Sequence, residues 1–220
     1  MFAGPLYRDR REAGRVLAEQ LAPAVENESV IVLALPRGGV PVGFEASKRL
    51  NTELDVFVVR KLGVPGREEL AMGAVATGGV RVLNNSLIHA LRISLVQIDR
   101  VTEREKQEIT RREAAYREGR PAPSIQGRTA VLVDDGLATG ATMLAAAKAV
   151  RQRSPERIIV AVPVASEDAC HEFRRSVDEV ICVATPDPFY AVGAWYEDFS
   201  QTSDAEVREL LERVARQHVA

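Results

Sequence analysis

Two adjacent carboxylates, Asp134 and Asp135, follow an apolar run at Thr129 to Val133 and precede a loop of small residues at Gly136 to Thr142. The run is typical of a buried strand, and the loop leads into a helix that we expect to begin near Ala141. Backbone N–H groups at a helix start favour phosphate, because they lack partners within the helix and lie at the positive end of its dipole. The two acids would repel a bare phosphate. The pattern therefore predicts a ligand that also carries hydroxyl groups or a metal ion, as ribose 5-phosphate does.

Two other interpretations of this loop can be weighed on residue type. A Walker-type nucleotide loop needs a lysine before its Ser or Thr, but Ala141 precedes Thr142, and no Gly-x-Gly-x-x-Gly motif is present. A plain strand-to-helix turn capped by Asp135 is the second interpretation. Such a cap does not account for two acids together with Thr139 and Thr142, which supply hydroxyl donors beside the permissive Gly140.

A second candidate anion site follows the apolar run at Val30 to Ala34, which we expect to be the first strand. Arg37 precedes Gly38 and Gly39, so a guanidinium stands next to two backbone N–H groups. Arginine grips phosphate oxygens as a fork, and each charge-assisted hydrogen bond contributes about 1.5–3 kcal/mol. These residues suit a diphosphate, although a Pro-Gly-Gly turn with a solvated arginine fits them equally well.

Two further segments could complete a site. Arg60 and Lys61 follow the second predicted strand, Leu54 to Val59, and begin a polar stretch, Leu62 to Glu69. This stretch predicts a mobile lid, with the basic residues at its start able to reach a diphosphate. The alternative is an ordinary exposed loop. The chain has only 5% aromatic residues, and many of them cluster at Pro186 to Phe199. That cluster indicates either a hydrophobic plug or a surface that stacks a planar ligand.

The stretch Val131 to Met143, VLVDDGLATGATM, resembles the 5-phosphoribosyl 1-diphosphate (PRPP) binding motif of the type I phosphoribosyltransferases. The resemblance implies an α/β fold with a twisted, mainly parallel sheet and helices on both faces, plus a β-hairpin flexible arm, a long helical insertion and a small C-terminal hood. It implies that Asp134 and Asp135 hold the ribose hydroxyls and position Mg²⁺. The residues it assigns to the 5-phosphate loop are Gly136, Leu137, Ala138, Thr139, Gly140, Ala141 and Thr142.

The same resemblance assigns the diphosphate to Arg37, Gly38, Gly39, Arg60 and Lys61. It makes Arg37 and Lys61 catalytic residues together with the two acids. It also makes the Arg37–Gly38 bond the candidate for a cis peptide, which normally costs about 3–4 kcal/mol. The arm at 60–83 would close over the reacting centre and exclude water.

The segment at 184–200 resembles the hood of the 6-oxopurine phosphoribosyltransferases. By that resemblance Phe189 stacks on the base, Tyr196 covers its other face and Glu197 helps to position Mg²⁺. Two departures leave the acceptor open, with a purine as one candidate. Ala138 stands where that subfamily has an acid that handles the base proton, and 162–165 is apolar where it has a lysine.

Composition limits the other classes of function. The chain has 220 residues, 46% of them hydrophobic, and a net charge of -2. This suits one α/β domain and argues against nonspecific binding of nucleic acid. No apolar stretch is long enough for a membrane helix, and Cys170 and Cys182 are expected to be reduced, buried thiols of a cytoplasmic protein.

Helical and strand periodicity predicts how the chain positions these groups. We expect a single domain at 1–220, with a core at about 28–183, a flexible loop at 60–83, a helical insertion at 86–118, a hood at 184–200 and a C-terminal helix at 203–217. Gly78-Gly79 predicts a hairpin turn, and Ser94 with Gln97 predicts a capping box. The long helix that follows packs on the domain or on a second subunit, so a homodimer is one expected assembly.

These observations together predict a Mg²⁺-dependent phosphoribosyltransferase that uses PRPP and a small-molecule base. The alternative prediction is a non-catalytic PRPP sensor of the same fold, which the missing acid at Ala138 favours.

Overall fold

The computed structural model of the chain describes residues 4–138 and 140–218. Five parallel strands form its central sheet in the order β2-β1-β6-β7-β8. Their bounds are β1 Val30–Ala34, β2 Glu53–Val56, β6 Thr129–Val133, β7 Arg157–Val164 and β8 Glu179–Ala184. In β1, Val32 and Ala34 contribute to one hydrophobic core and Ile31 and Leu33 to another. The middle of the sheet is therefore buried on both faces, which explains why β1 and β6 read as continuous apolar runs.

Helices cover both faces of this sheet. On the first face lie α1 (Arg10–Leu21), α2 (Gly39–Leu50) and α7 (Asp204–His218). The second face is covered by α5 (Ala141–Arg151) and α6 (Glu167–Phe173). The predicted α/β fold, with a mainly parallel sheet between helical layers, is thereby confirmed.

A second, antiparallel sheet of three strands stands beside the first. Its strands are β3 (Val59–Val64), β4 (Arg67–Ala76) and β5 (Arg81–Leu83). Gly78 and Gly79 form the turn between β4 and β5 at φ of +85° and +78°, as predicted. The segment 62–69 differs from the expected loop because β3 and β4 pair across it. Leu62 and Val64 are buried against the core, and this burial favours a strand over a solvated loop.

Two more helices link the second sheet to β6. They are α3 (Asn85–Ala90) and α4 (Leu95–Arg117). Ser94 and Gln97 form the predicted capping box at the start of α4, with the Gln97 side chain accepting from the Ser94 N–H at 3.0 Å. Tyr116, near the end of α4, donates its hydroxyl to Asp204 of α7 at 2.8 Å. The long helical insertion is thus packed on the domain itself.

The cysteine prediction was wrong. Cys170 of α6 and Cys182 of β8 are joined by a disulfide, with their Cα atoms 6.9 Å apart. Helix α6 packs directly on β8, so the fold brings together two thiols that the sequence pattern gave no reason to pair. Within 4–138 and 140–218, no helix is long and apolar enough to cross a membrane.

Candidate active site

Asp134 and Asp135 lie where β6, the middle strand of the parallel sheet, ends. This carboxyl edge is where open α/β sheets bind their ligands. The Asp135 N–H donates to Asp134 Oδ1 at 2.9 Å, which orients the first carboxylate. Burial, followed by the charge of Asp135, raises the pKa of Asp134 well above its ordinary value. Burial also raises the pKa of Asp135, and Arg10 opposes that rise. Donors or a cation from a ligand would therefore stabilise both carboxylates.

Two side chains support this acidic pair, by which we mean Asp134 and Asp135. The sequence reasoning missed Arg10 and assigned Tyr196 to the base instead. Arg10, at the first turn of α1, donates from Nε to Asp135 Oδ2 at 2.8 Å. Tyr196 donates its hydroxyl to the Asp135 carbonyl oxygen at 2.6 Å. Burial, and then the negative charge of Asp135, raise the Tyr196 pKa and keep the phenol a donor.

Gly38 and Gly39 pack directly against the acidic pair. A Cβ on Gly38 would overlap the Asp135 carboxylate, with Cγ only 2.8 Å away. A Cβ on Gly39 would lie 2.7 Å from the Val133 carbonyl oxygen and 2.9 Å from Asp134 Cα. The glycines thus allow the start of α2 to approach the end of β6, which brings the two predicted anion sites together.

The backbone around these glycines differs from the expectation in two ways. The cis peptide bond is Pro36–Arg37 and not Arg37–Gly38. Gly38 has helical φ and ψ of -59° and -34° at the entry into α2. The Gly39 N–H donates to the Leu35 carbonyl at 3.1 Å, so this amide is engaged within the protein.

The predicted phosphate loop connects the acidic pair to α5. Gly140 adopts a φ of +68° and precedes the first turn of α5, Ala141 to Met143. N–H groups in the first turn of a helix lack acceptors within the helix. The Leu137 N–H instead donates to the Val164 carbonyl at 3.0 Å, which removes it from the set of free donors. Thr139 lies outside the described residues.

Neighbouring elements fix the walls of this loop. A Cβ on Gly136 would lie 2.6 Å from Val192 Cγ1 of the hood and 2.9 Å from the Val164 carbonyl oxygen. A Cβ on Gly140 would overlap the Phe173 ring, whose Cζ is 2.9 Å away. Ala138 is exposed, and its carbonyl accepts from Ser166 Oγ at 3.1 Å. The phosphate loop is therefore held between the hood and α6.

The three predicted diphosphate cations are bound to other groups. Arg37 lies 3.7 Å from Asp204 at the start of α7. Arg60 Nε donates at 2.9 Å to Glu105, a buried residue of α4. Lys61 Nζ donates to the Glu69 carbonyl at 3.1 Å. Each of these side chains therefore already has a protein partner.

A cavity of about 340 Å³ lies between the antiparallel sheet and α5. Lys61 lines it from β3, while Ala141 and Thr142 line it from the first turn of α5. Lys61 and the predicted phosphate loop therefore share one cavity.

The hood is organised around buried aromatic rings. Phe189 is partly buried, and its ring centroid lies 6.4 Å from that of Trp195. Tyr196 is only 4% exposed, between Tyr7 at 5.6 Å and Phe199 at 5.1 Å. Glu197 is exposed, and its N–H donates to the Tyr7 carbonyl at 2.9 Å.

The acidic pair offers the type of donor that Mg²⁺ prefers. Mg²⁺ is usually held by one or two carboxylates, with waters and substrate phosphates completing its shell. Asp134 and Asp135 meet this requirement. Among the described residues, no group of three or more acidic, histidine or cysteine side chains forms a metal cluster, so Glu197 does not join the pair in one.

Comparisons with known proteins agree with this fold. The sequence profile described as the phosphoribosyl transferase domain matches residues 66–193, and the chain belongs to this family. Two curated proteins of Mycobacterium tuberculosis, from strains CDC 1551 / Oshkosh and ATCC 25618 / H37Rv, are provisionally named phosphoribosyl transferases. Each is 46% identical over 211 residues, covering 96% of this chain and 47% of the relative. The chain thus spans about half the length of these curated relatives.

A solved structure is similar over almost the whole chain. The crystal structure of TT1426 from Thermus thermophilus shares 46% sequence identity and superposes with a TM-score of 0.82. The similarity covers 94% of this chain and 98% of that one.

Proposed function

We propose that this protein transfers the 5-phosphoribosyl group of PRPP to a nitrogen of a nucleobase-like acceptor and releases diphosphate. In this reaction the bond between the anomeric carbon and the diphosphate oxygen breaks, and a carbon–nitrogen bond forms while the acceptor loses a proton. The observation that carries the proposal is the acidic pair at the end of β6, which is followed by the first turn of α5 and is packed against Gly38 and Gly39. N–H groups in a helix's first turn lack acceptors within the helix. A pentose phosphate offers hydroxyls to the first group and an anion to the second.

The binding roles follow from the chemistry of each side chain. Asp134 and Asp135 accept hydrogen bonds from the ribose hydroxyls, and the start of α5 binds the 5-phosphate. Arg37, Arg60 and Lys61 neutralise the diphosphate, Arg37 by leaving Asp204 and Lys61 by leaving the Glu69 carbonyl. Positioning and charge neutralisation would supply most of the catalysis, since no covalent protein nucleophile is required.

Asp134 and Asp135 would also hold Mg²⁺. When bound, this ion would add charge neutralisation and orientation at the diphosphate. We keep Glu197 as a third contributor through water, because its exposure leaves its carboxylate accessible to solvent.

The hood would bind the acceptor, and here we revise one role. Phe189, which is partly exposed, remains the residue proposed to stack on the base. Tyr196 is too deeply buried to cover the other face, and its hydroxyl is bound to Asp135, so we assign it to support of the acidic pair. Since Ala138 offers no acid, the acceptor proton passes to another group or to solvent.

The test is calorimetric titration of the protein with PRPP and Mg²⁺. Asp134→Asn and Asp135→Asn should each raise the dissociation constant about 10- to 100-fold, the loss expected for a hydrogen bond to a charged group. Asp99→Asn is the matched control, because Asp99 is 66% exposed and pairs with Arg81 on the surface. Affinities equal to wild type in both acidic-pair variants would remove the ribose role.

A non-catalytic PRPP sensor is the second candidate, and the absence of an acid at Ala138 favours it. Diphosphate release measured across a panel of purine and pyrimidine bases separates the two. Turnover with any base supports the transferase, whereas tight PRPP binding without turnover on the whole panel supports the sensor.

A further inference from the structure

Arg10 contacts three groups from two segments of the chain that lie far apart in sequence. Its Nε donates to Asp135 Oδ2 at 2.8 Å, and its Nη1 donates to the Ser200 carbonyl at 2.7 Å. Its guanidinium carbon lies 3.9 Å from the centroid of the Phe199 ring, in the range of a cation–π contact. The side chain is only 11% exposed. A planar guanidinium suits this position, because it donates in two directions while its face stacks on a ring.

Tyr196 provides a second connection between Asp135 and Phe199. Tyr196 donates its hydroxyl to the Asp135 carbonyl and packs its ring 5.1 Å from that of Phe199. The side chain and the backbone of Asp135 are therefore both held by groups that contact the same hood ring. Asp135 Oδ2 also lies so close to Gly38 that a Cβ added there would overlap it.

We propose that Arg10 is a positioning residue that ties the hood to the acidic pair and thereby sets the affinity of that pair for PRPP. This inference rests on the proposed function for its ligand. Structurally, we infer that Arg10 links the 196–200 part of the hood to the loop at 134–138, so that the two segments are stabilised together. Arg10 acts through Asp135 and Phe199 and is not assigned a contact with the substrate.

Hydrogen exchange of the ligand-free chain tests the link directly. Amides of both segments are bonded: Leu137 donates to Val164, and Glu197 and Asp198 donate to the backbone of Tyr7 and Arg8. Arg10→Gln should speed exchange in 134–138 and in 196–200 together. Arg8→Gln, at a side chain 64% exposed that pairs with Asp9, is the control and should leave both segments at wild-type rates. Faster exchange in one segment alone would overturn the proposal.

Titration with PRPP and Mg²⁺ supplies the functional measurement. Arg10→Gln should weaken binding about 10- to 100-fold, as loss of a group that orients a ligand side chain typically does. Arg10→Lys keeps the charge but cannot donate to Asp135 and Ser200 and stack on Phe199 at once, so it should remain several-fold weaker than wild type. Wild-type affinity in either variant would overturn the proposal. If the wild-type chain itself binds no PRPP, the proposed function fails. The exchange experiment still tests whether Arg10 links the hood to the acidic pair.

Discussion

Gly38 is the residue at which the start of α2 and the acidic pair come closest. A methyl group there would overlap the Asp135 carboxylate and lie 3.2 Å from Arg10 Nε. We expect Gly38→Ala to displace this carboxylate and to weaken the binding of PRPP with Mg²⁺ at least about tenfold, measured by calorimetry. Gly4→Ala is the control, because a Cβ at Gly4 meets no atom within 4 Å. Unchanged affinity in a folded Gly38→Ala protein would contradict this packing argument.

At this scale, the sequence predicted the acidic pair but missed the contacts that distant residues make with it. Asp134 and Asp135 are adjacent to each other and to a recognisable strand and loop. Arg10 lies 125 positions from Asp135, and Tyr196 lies 61 positions from it. In the sequence, Arg10 looks like an ordinary surface residue at the start of a helix. Only the folded structure brings it next to the buried carboxylate of Asp135.

Gly140 illustrates how one element constrains another. It begins α5 at a φ of +68°, and its missing Cβ leaves room for the Phe173 ring of α6. Gly140→Ala should lower the free energy of unfolding by about 1–2 kcal/mol for the left-handed backbone alone, with a further loss from the overlap with Phe173. Urea unfolding measures the total.

Gly119→Ala separates these two causes. Gly119 has a φ of +85°, and a methyl group added there would meet no atom within 4 Å, so its substitution reports the backbone cost alone. Gly140→Ala should therefore be the more destabilising of the two. Equal losses would show that α6 does not restrict the phosphate loop.

The sequence predicted best those elements whose residue types directly reflect how deeply the element is buried. The strands β1 and β6 are buried throughout and read as unbroken apolar runs. The stretch at 62–69 was misjudged, because glycine and charged residues outnumber the two apolar side chains, Leu62 and Val64, that bind it to the core. The disulfide was missed for a related reason, since the contact between α6 and β8 is tertiary.

At the scale of the whole molecule, two buried phenols connect distant parts of the chain. Tyr7 donates its hydroxyl to the Pro163 carbonyl of β7 at 2.8 Å, and Tyr116 donates to Asp204 at 2.8 Å. Burial raises the pKa of each from 10.0 to about 12. Because the folded protein keeps protons that the unfolded chain loses, the contribution of these groups to stability is complete below pH 10 and is lost as the pH rises towards 12.

Tyr7→Phe should therefore have opposite effects at neutral and at alkaline pH. Near pH 8 the variant loses one hydrogen bond, which lowers the free energy of unfolding by about 1 kcal/mol. Between pH 10 and about 12 its stability should fall less steeply than that of wild type, because one buried phenol no longer has to ionise. Urea unfolding at several pH values measures both effects, and the difference between the two proteins should be constant from pH 6 to 8, where the phenol stays protonated in both states. Parallel curves above pH 10 would show that Tyr7 ionises as readily in the folded protein as in the unfolded chain, and that its bond to β7 does not stabilise the neutral form.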